Sequence, residues 1–155
     1  MNSNKIFIDS SLLVERAKGT RPELLNELMS NPERYELCIN DIVLSEFTFY
    51  LLIIEGEKAP LTLKRDGSIP QLIAESNPTQ FLETFTHLST FQNIIPLYLR
   101  LMQQYNLLPN DALILATCLN NGIKTIASFD TDFKEACQNE GILLISDMAE
   151  YMNLK

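Results

Sequence analysis

Short apolar runs that alternate with helical patterns constrain the fold of this chain most strongly. Four runs have the length and composition of buried strands: residues 5–9, 35–40, 123–128 and 141–146. Strands alternating with helices favour right-handed crossovers and a parallel sheet covered on both faces. We therefore predict one α/β domain over residues 1–155.

Turn and cap residues predict where the helices lie. Ser10 or Ser11 is the predicted cap of the first helix and Gly19 its end, while Asn40 or Asp41 is the predicted cap of the third. Residues 55–77 mix Gly, Pro and charges, so we predict an irregular insertion, with a short helix at most near its end. The predicted helices cover residues 10–19, 21–32, 41–56, 78–91, 95–106 and 110–122, a segment after residue 132 and a turn or two at the end of the chain.

Composition narrows the class of protein. With 46% hydrophobic and 21% charged residues, the 155-residue chain is typical of a globular domain. Three widely spaced cysteines predict buried thiols in a reducing compartment, and the first residues lack a signal-peptide pattern, so we expect a cytoplasmic protein with no membrane partner. A net charge of −8 argues against a general nucleic-acid coating protein, and a single histidine argues against a histidine-based metal site or triad.

Acidic residues follow the predicted strands. Asp9 ends the first strand, and Asp130 and Asp132 lie just past the third. Asp111 begins the helix that leads into that strand, and Glu46 lies early in the helix after the second strand. Ligands of open α/β sheets bind beyond the carboxyl ends of the strands, so these carboxylates are expected to converge there.

Glu46 is the most informative of these residues. In a helix its neighbours three, four and seven positions away are all apolar or aromatic: Ile42, Val43, Phe49, Tyr50 and Ile53. This pattern predicts that Glu46 lies on the inward face, where a carboxylate needs a basic partner or a shared cation.

Ordinary structural roles compete with this interpretation at each position. Asp111 and Asp130 could cap helices, Asp132 could be a first-turn residue, and Asp9 could start a turn. Five such residues at one sheet edge nevertheless favour a common purpose. Clustered carboxylates repel unless a hard cation such as Mg²⁺ or Mn²⁺ neutralises them, and that chemistry suits phosphodiester hydrolysis.

Four segments of the chain resemble the motifs of PIN domains in their order and spacing. They are FIDSS around Asp9, LSEF around Glu46, NDALILATCLNNGIKTIASFD from Asp111 to Asp130, and DTDF around Asp132. The resemblance covers nearly the whole chain and is greatest to the toxin-like, VapC-type ribonucleases of bacterial toxin–antitoxin pairs. The 55–77 insertion is longer than in many such toxins.

The resemblance implies a parallel sheet of four or five strands flanked by helices, and an Mg²⁺- or Mn²⁺-dependent endoribonuclease acting on RNA such as tRNA or rRNA. It assigns catalysis to Asp9, Glu46, Asp111 and Asp130. Asp9, Asp111 and Asp130 would hold the metal, and Glu46 would be a ligand or orient the attacking water. Asp132, Ser10 and Ser128 would be auxiliary, although Ser10 could equally be a helix cap.

The same resemblance implies partners besides RNA, namely a cognate antitoxin and a second copy of the chain, for which helices within residues 11–31 are the expected surface. Lys58, Lys64 and Arg65 in the insertion are candidate phosphate contacts, with Arg16 and Lys18 as weaker ones. These cations could also belong simply to solvated surface.

Three other functions are compatible with parts of the pattern. A dehalogenase-type phosphatase needs an aspartate where Ser11 stands, and a response-regulator receiver needs an acidic pair and a late lysine that do not fit. A PIN-like scaffold that binds RNA or protein without cutting remains the alternative. The complete acidic set argues against it.

Overall fold

Five parallel strands form one sheet in the order β3-β2-β1-β4-β5. A computed structural model of the chain describes residues 4–89 and 93–154. The strands are β1 (Asn4–Ile8), β2 (Tyr35–Asn40), β3 (Thr86–Leu88), β4 (Thr125–Ala127) and β5 (Leu143–Ile145). All four strands predicted from the sequence are therefore present, with ends that shift by one or two residues.

The central strand β1 lies in the middle of the core. Phe7 pairs with Cys38 of β2 on one side and with Ile126 of β4 on the other. Ile6, Phe7 and Ile8 are all at most 1% exposed. Since successive side chains of a strand point to opposite faces, both faces of the sheet are covered at its centre, as predicted.

The helices follow the predicted order, and the structure defines the first and last residue of each. They are α1 (Ser10–Lys18), α2 (Glu23–Met29), α3 (Asp41–Gly56), α4 (Pro60–Asp66), α5 (Ile69–Ser76), α6 (Thr79–Leu82), α7 (Ile94–Tyr105), α8 (Pro109–Asn120), α9 (Phe133–Glu140) and α10 (Met148–Met152). Gly19 ends α1 in the left-handed conformation and Asn40 caps α3 through Val43 N, both as predicted. The cap of α1 is Asp9, so the prediction of Ser10 or Ser11 was wrong.

The insertion is mostly helical, which corrects the prediction of an irregular segment at 55–77. Pro60 and Pro70 lie in the first turns of α4 and α5, where proline is tolerated because those N–H groups have no helical partner. Gly67 and Asn77 end these helices in the left-handed conformation. The residues that suggested irregular structure are therefore the start and stop signals of two short helices.

Residues 78–91 were predicted as one helix, and this prediction was also wrong. Among the described residues of this segment, 78–89, only the four residues of α6 are helical, and β3 follows as the edge strand beside β2, with Thr86 opposite Cys38. Residues 90 and 91 lie outside the described residues. The edge strand has three residues and one buried side chain, Leu88. This is too short an alternation of apolar and polar residues to indicate a strand in a segment whose apolar residues are also spaced as in a helix.

The three cysteines form no disulfide. Cys38, Cys118 and Cys137 are free and buried, as predicted. No helix within the two described ranges is both long and apolar enough to cross a membrane. The stability of the fold therefore rests on packing rather than on disulfides.

Leu63 attaches the insertion to the rest of the domain. It is 2% exposed and packs so closely on α3 that a Cβ atom at Gly56 would lie 2.6 Å from its Cδ1. We expect Leu63→Ala to lower the free energy of unfolding by about 2–4 kcal/mol through the cavity it leaves. Leu61→Ala, at a side chain that is 72% exposed, should change it by less than about 0.5 kcal/mol. Urea denaturation of both variants checks this, and equal losses would contradict it.

Candidate active site

A cleft of about 600 Å³ opens beyond the carboxyl ends of β1 and β4. The strand order reverses here, because β1 has β2 on one side and β4 on the other, and such a point is the usual ligand site of an open α/β sheet. Four of the five predicted carboxylates line this cleft: Asp9, Glu46, Asp111 and Asp130. Segments that are far apart in sequence thus meet at one place.

Asp9 is the most deeply buried of these carboxylates, at 4% exposure. Its Oδ2 atom accepts hydrogen bonds from Ser11 N (3.3 Å), Ser11 Oγ (2.6 Å) and Ser128 Oγ (2.7 Å). Burial raises the pKa of Asp9, and these hydrogen bonds partly oppose the rise. The side chain is therefore fixed in place at a cost that a positive charge would relieve.

Asp111 shows that the carboxylates act on one another. It lies in the first turn of α8, and its pKa is raised to about 7. Burial is the largest cause, followed by the negative charges of Asp130, Asp9, Glu46 and Asp132. The five predicted acidic residues therefore share one electrostatic environment.

The loop after β4 brings two further carboxylates beside Asp111. One oxygen from each of Asp111, Asp130 and Asp132 lies within 4.8 Å of the other two. Ser128 Oγ accepts a hydrogen bond from Asp130 N (3.0 Å), and Asp130 Oδ1 accepts one from Asp132 N (2.9 Å). The predicted metal-binding group contained Asp9 rather than Asp132, and this close arrangement places Asp132 beside the predicted ligands Asp111 and Asp130.

Glu46 contacts polar groups and, in the part of the chain that the structure describes, no basic side chain. Its Oε2 accepts a hydrogen bond from Ser10 Oγ (2.6 Å), and its Oε1 accepts one from Asn110 Nδ2 (2.7 Å). The inward face of α3 carries Val43, Phe47 and Leu51, whereas Glu46 is only half-buried. The expectation that the Glu46 face points inward was therefore wrong, because α3 is apolar on both faces and the cleft lies beside it.

Two polar residues of the site were missed in the sequence. Ser11, rather than Ser10, binds Asp9, and its Oγ also accepts a hydrogen bond from Phe129 N (3.0 Å). Asn110 holds Glu46. Asn110 could have been found, since it directly precedes Asp111, whereas no local signal separates Ser11 from the adjacent Ser10.

The insertion cations do not line the cleft. Lys58 pairs with Asp66 at 3.2 Å, and Lys64 and Arg65 are exposed in the last turn of α4. Lys18 does line it, with Nζ 3.3 Å from Oε1 of Glu15.

Arg16 lies outside the cleft lining. It donates to Asn26 Oδ1 and its guanidinium lies 4.7 Å from the centre of the Phe81 ring. Of the five candidate cations, Lys18 is thus the one beside the carboxylates. A role in RNA binding stays a prediction for all five.

The profile of the PIN domain matches residues 6–139, which is most of the chain and all of the site. The chain belongs to the PIN domain family. This confirms the resemblance that the four motifs indicated.

Two proteins of Methanocaldococcus jannaschii are similar to this PIN domain over most of their length. Ribonuclease VapC2 is 33% identical over 136 residues, covering 86% of this chain and 90% of the relative. Ribonuclease VapC6 is 31% identical over 149 residues, covering 87% and 94%.

Solved structures share the fold at lower identity. The structure of VapBC2 from Rickettsia felis bound to a DNA fragment from their promoter matches with a TM-score of 0.64 and 16% identity, over 91% of this chain and 97% of that one. A toxin–antitoxin complex from Klebsiella pneumoniae matches with a TM-score of 0.56 and 22% identity, over 83% and 89%. At these identities the likeness confirms the PIN fold of the chain.

Proposed function

We propose that this PIN domain is a divalent-metal-dependent endoribonuclease that hydrolyses RNA phosphodiester bonds as the toxin of a toxin–antitoxin pair. The observation that carries the proposal is the convergence of Asp9, Glu46, Asp111 and Asp130 in one cleft at the carboxyl edge of the sheet. Burial and the neighbouring carboxylates raise the pKa of Asp111 there. A site that concentrates negative charge in this way is costly without a cation. The names of the two archaeal relatives support RNA as the substrate.

The donor set fits a hard divalent cation. Asp111, Asp130 and Asp132 offer three carboxylate oxygens within 4.8 Å of one another, and Asp9 faces the same cleft. Oxygen ligands with no histidine or cysteine among them suit Mg²⁺ or Mn²⁺. We propose Asp9, Asp111 and Asp130 as ligands, with Asp132 beside them. When bound, the ion would supply charge stabilisation to the reacting phosphate and promote deprotonation of water.

The protein's own residues would position the reactants. Ser11 and Ser128 fix Oδ2 of Asp9, which keeps this ligand in one orientation. Ser10 and Asn110 fix the two oxygens of Glu46, so that Glu46 can orient the attacking water through a hydrogen bond. The buried Ser128 also accepts from Asp130 N and thereby couples Asp9 to the loop after β4.

Partners and compartment complete the proposal. Lys18 at the cleft, and Lys58, Lys64 and Arg65 further away, would contact RNA phosphates without reading sequence. An antitoxin would cover the cleft when the toxin is inactive, and the complexes from R. felis and K. pneumoniae support such a partner. We further propose a homodimer that works in the cytoplasm, a compartment suited to three free, buried thiols.

The test is cleavage of total RNA by the purified protein with Mg²⁺ or Mn²⁺. We expect cleavage that is lost with a chelator and lost in Asp9→Asn. The matched control Asp66→Asn, an exposed carboxylate paired with Lys58, should cleave as the natural protein does. Cleavage that survives Asp9→Asn would point to a contaminating nuclease and contradict the proposal. Binding of RNA without any cleavage would favour the scaffold alternative.

A further inference from the structure

Two aromatic side chains are exposed in the acidic cleft. Phe49 is 52% exposed and Tyr50 45%, and both line the same cleft as Asp9 and Glu46. Their ring centres are 5.9 Å apart, and the ring planes meet at 87°. Single exposed apolar residues are common on protein surfaces, but a pair beside the candidate catalytic carboxylates is more informative.

The hydrophobic core does not account for this pair. The core-facing residues of α3 are Val43, Phe47 and Leu51, each at most 6% exposed. Within the described residues, neither Phe49 nor Tyr50 belongs to the core or to the partly buried side chains packed on it. Their contact with each other therefore leaves much aromatic surface in water.

The charge of the cleft explains what such a surface can contribute. The described residues that line it include five carboxylates and one cation, Lys18, which is itself paired with Glu15. The carboxylates are Asp9, Glu15, Glu46, Asp111 and Asp130. A phosphate backbone gains little attraction from this surface. Stacking of a base on an aromatic ring is nearly independent of charge.

We propose that Phe49 and Tyr50 form a stacking platform for an unpaired base of the RNA strand held at the carboxylates. The inference rests on the proposed function and deepens it, since it assigns positioning of the RNA strand to two residues outside the carboxylates. A base that lies flat on one ring stands edge-on to the other, because the rings are perpendicular. Bases within a duplex are already stacked and cannot lie on either ring.

The surroundings favour a base as the ligand of the pair when no antitoxin covers the cleft. Polar residues of the cleft, namely Ser45 and Glu46, border the pair. A stable protein interface needs about 800 Å² from each partner, with an apolar centre. Two rings within a polar cleft match one or two bases instead.

The test compares Phe49→Leu and Tyr50→Leu with the conservative variants Phe49→Tyr and Tyr50→Phe, all in an Asp130→Asn background that keeps the RNA uncut. The probe is a short oligo(A) strand carrying 2-aminopurine, alone or paired with oligo(U), with Mg²⁺ present. We expect fluorescence quenching on binding of the single strand, and at least one leucine variant should bind it roughly tenfold more weakly with loss of quenching. The variants that keep a ring should restore both, and the duplex should bind weakly throughout. Leu99→Ala, at an exposed apolar residue on α7, is the control and should bind as the parent does.

Each further outcome separates this inference from the nuclease assignment. If both leucine variants bind the single strand and quench its fluorescence as the Asp130→Asn parent does, while the natural protein cleaves RNA, the platform is overturned and the nuclease remains intact. Quenching that needs the rings, without cleavage by the natural protein, would support the platform and overturn the nuclease. A change in oligomeric state of the leucine variants in sedimentation, with RNA binding unaltered, would assign the pair to a protein interface and overturn the inference.

Discussion

Asp111→Asn is expected to reduce RNA cleavage by at least about 10²–10³-fold while it stabilises the metal-free protein above neutral pH. Cleavage should fall because the change removes one of the clustered carboxylates that would hold the cation. The stability should rise because the same carboxylate is partly buried and is also held against the repulsion of Asp130, Asp9, Glu46 and Asp132. Loss of activity together with a gain of stability is typical of a residue kept for function.

The direction of the pH dependence follows from the raised pKa. The folded protein holds the proton of Asp111 up to about pH 7, whereas the unfolded chain releases it near the ordinary value of 3.8. The metal-free protein therefore loses stability as pH rises from about 4 to about 7, and the full loss remains above that. The substitution Asp111→Asn removes this loss in the free energy of unfolding. The gain should amount to roughly 1–2 kcal/mol after allowing for solvent screening of a half-buried group.

Urea denaturation in a chelator measures this effect. Asp111→Asn should exceed the natural protein in stability at a pH of about 8 and match it near pH 4. Asp66→Asn, at an exposed carboxylate beside Lys58, is the control and should show no such gain. A loss of stability at both pH values would make Asp111 a structural residue and would contradict its assignment to a metal site.

Addition of Mg²⁺ or Mn²⁺ should raise the melting temperature strongly at alkaline pH. At a hundred times its dissociation constant, a ligand stabilises the folded state by about 2.7 kcal/mol, which corresponds to roughly 5–10 °C for a domain of this size. Below pH 7 the cation must displace the proton of Asp111, so its binding should weaken by up to about tenfold per pH unit.

Thermal unfolding with increasing cation at two pH values tests this second prediction. The shift in melting temperature should be largest in the natural protein and in Asp66→Asn, and it should vanish in Asp111→Asn. A shift of the same size in all three proteins would indicate weak binding at unrelated surface carboxylates.

The sequence was sufficient for the parallel sheet and for the acidic residues at its carboxyl edge. Both follow from local pattern, because β1 is a continuous apolar run and Asp9 stands where that run ends. Glu46 was correctly singled out for its unusual neighbours, although the inward orientation inferred from them was wrong. α3 is apolar around much of its circumference, and only the packing of α1 and α8 decides which face reaches the cleft.

Other features depended on tertiary contacts that the sequence does not display. β3 exists because β2 offers an edge with which it can pair, and the helices of the insertion depend on Leu63 packing at Gly56. The choice between Ser10 and Ser11 as the partner of Asp9 required the position of Ser128, which lies 117 residues beyond Ser11. Adjacent hydroxyls of the same type cannot be told apart by a local pattern.

The most direct measurement is a crystal structure with bound Mn²⁺, located by its anomalous scattering. If the carboxylates form a metal site, a peak will lie in the cleft within about 2.0–2.4 Å of carboxylate oxygens of Asp111 and Asp130, as hard cations require. A well-occupied Mn²⁺ ion elsewhere with none in the cleft, or crystals saturated with Mn²⁺ whose cleft holds no peak, would contradict a metal-dependent nuclease.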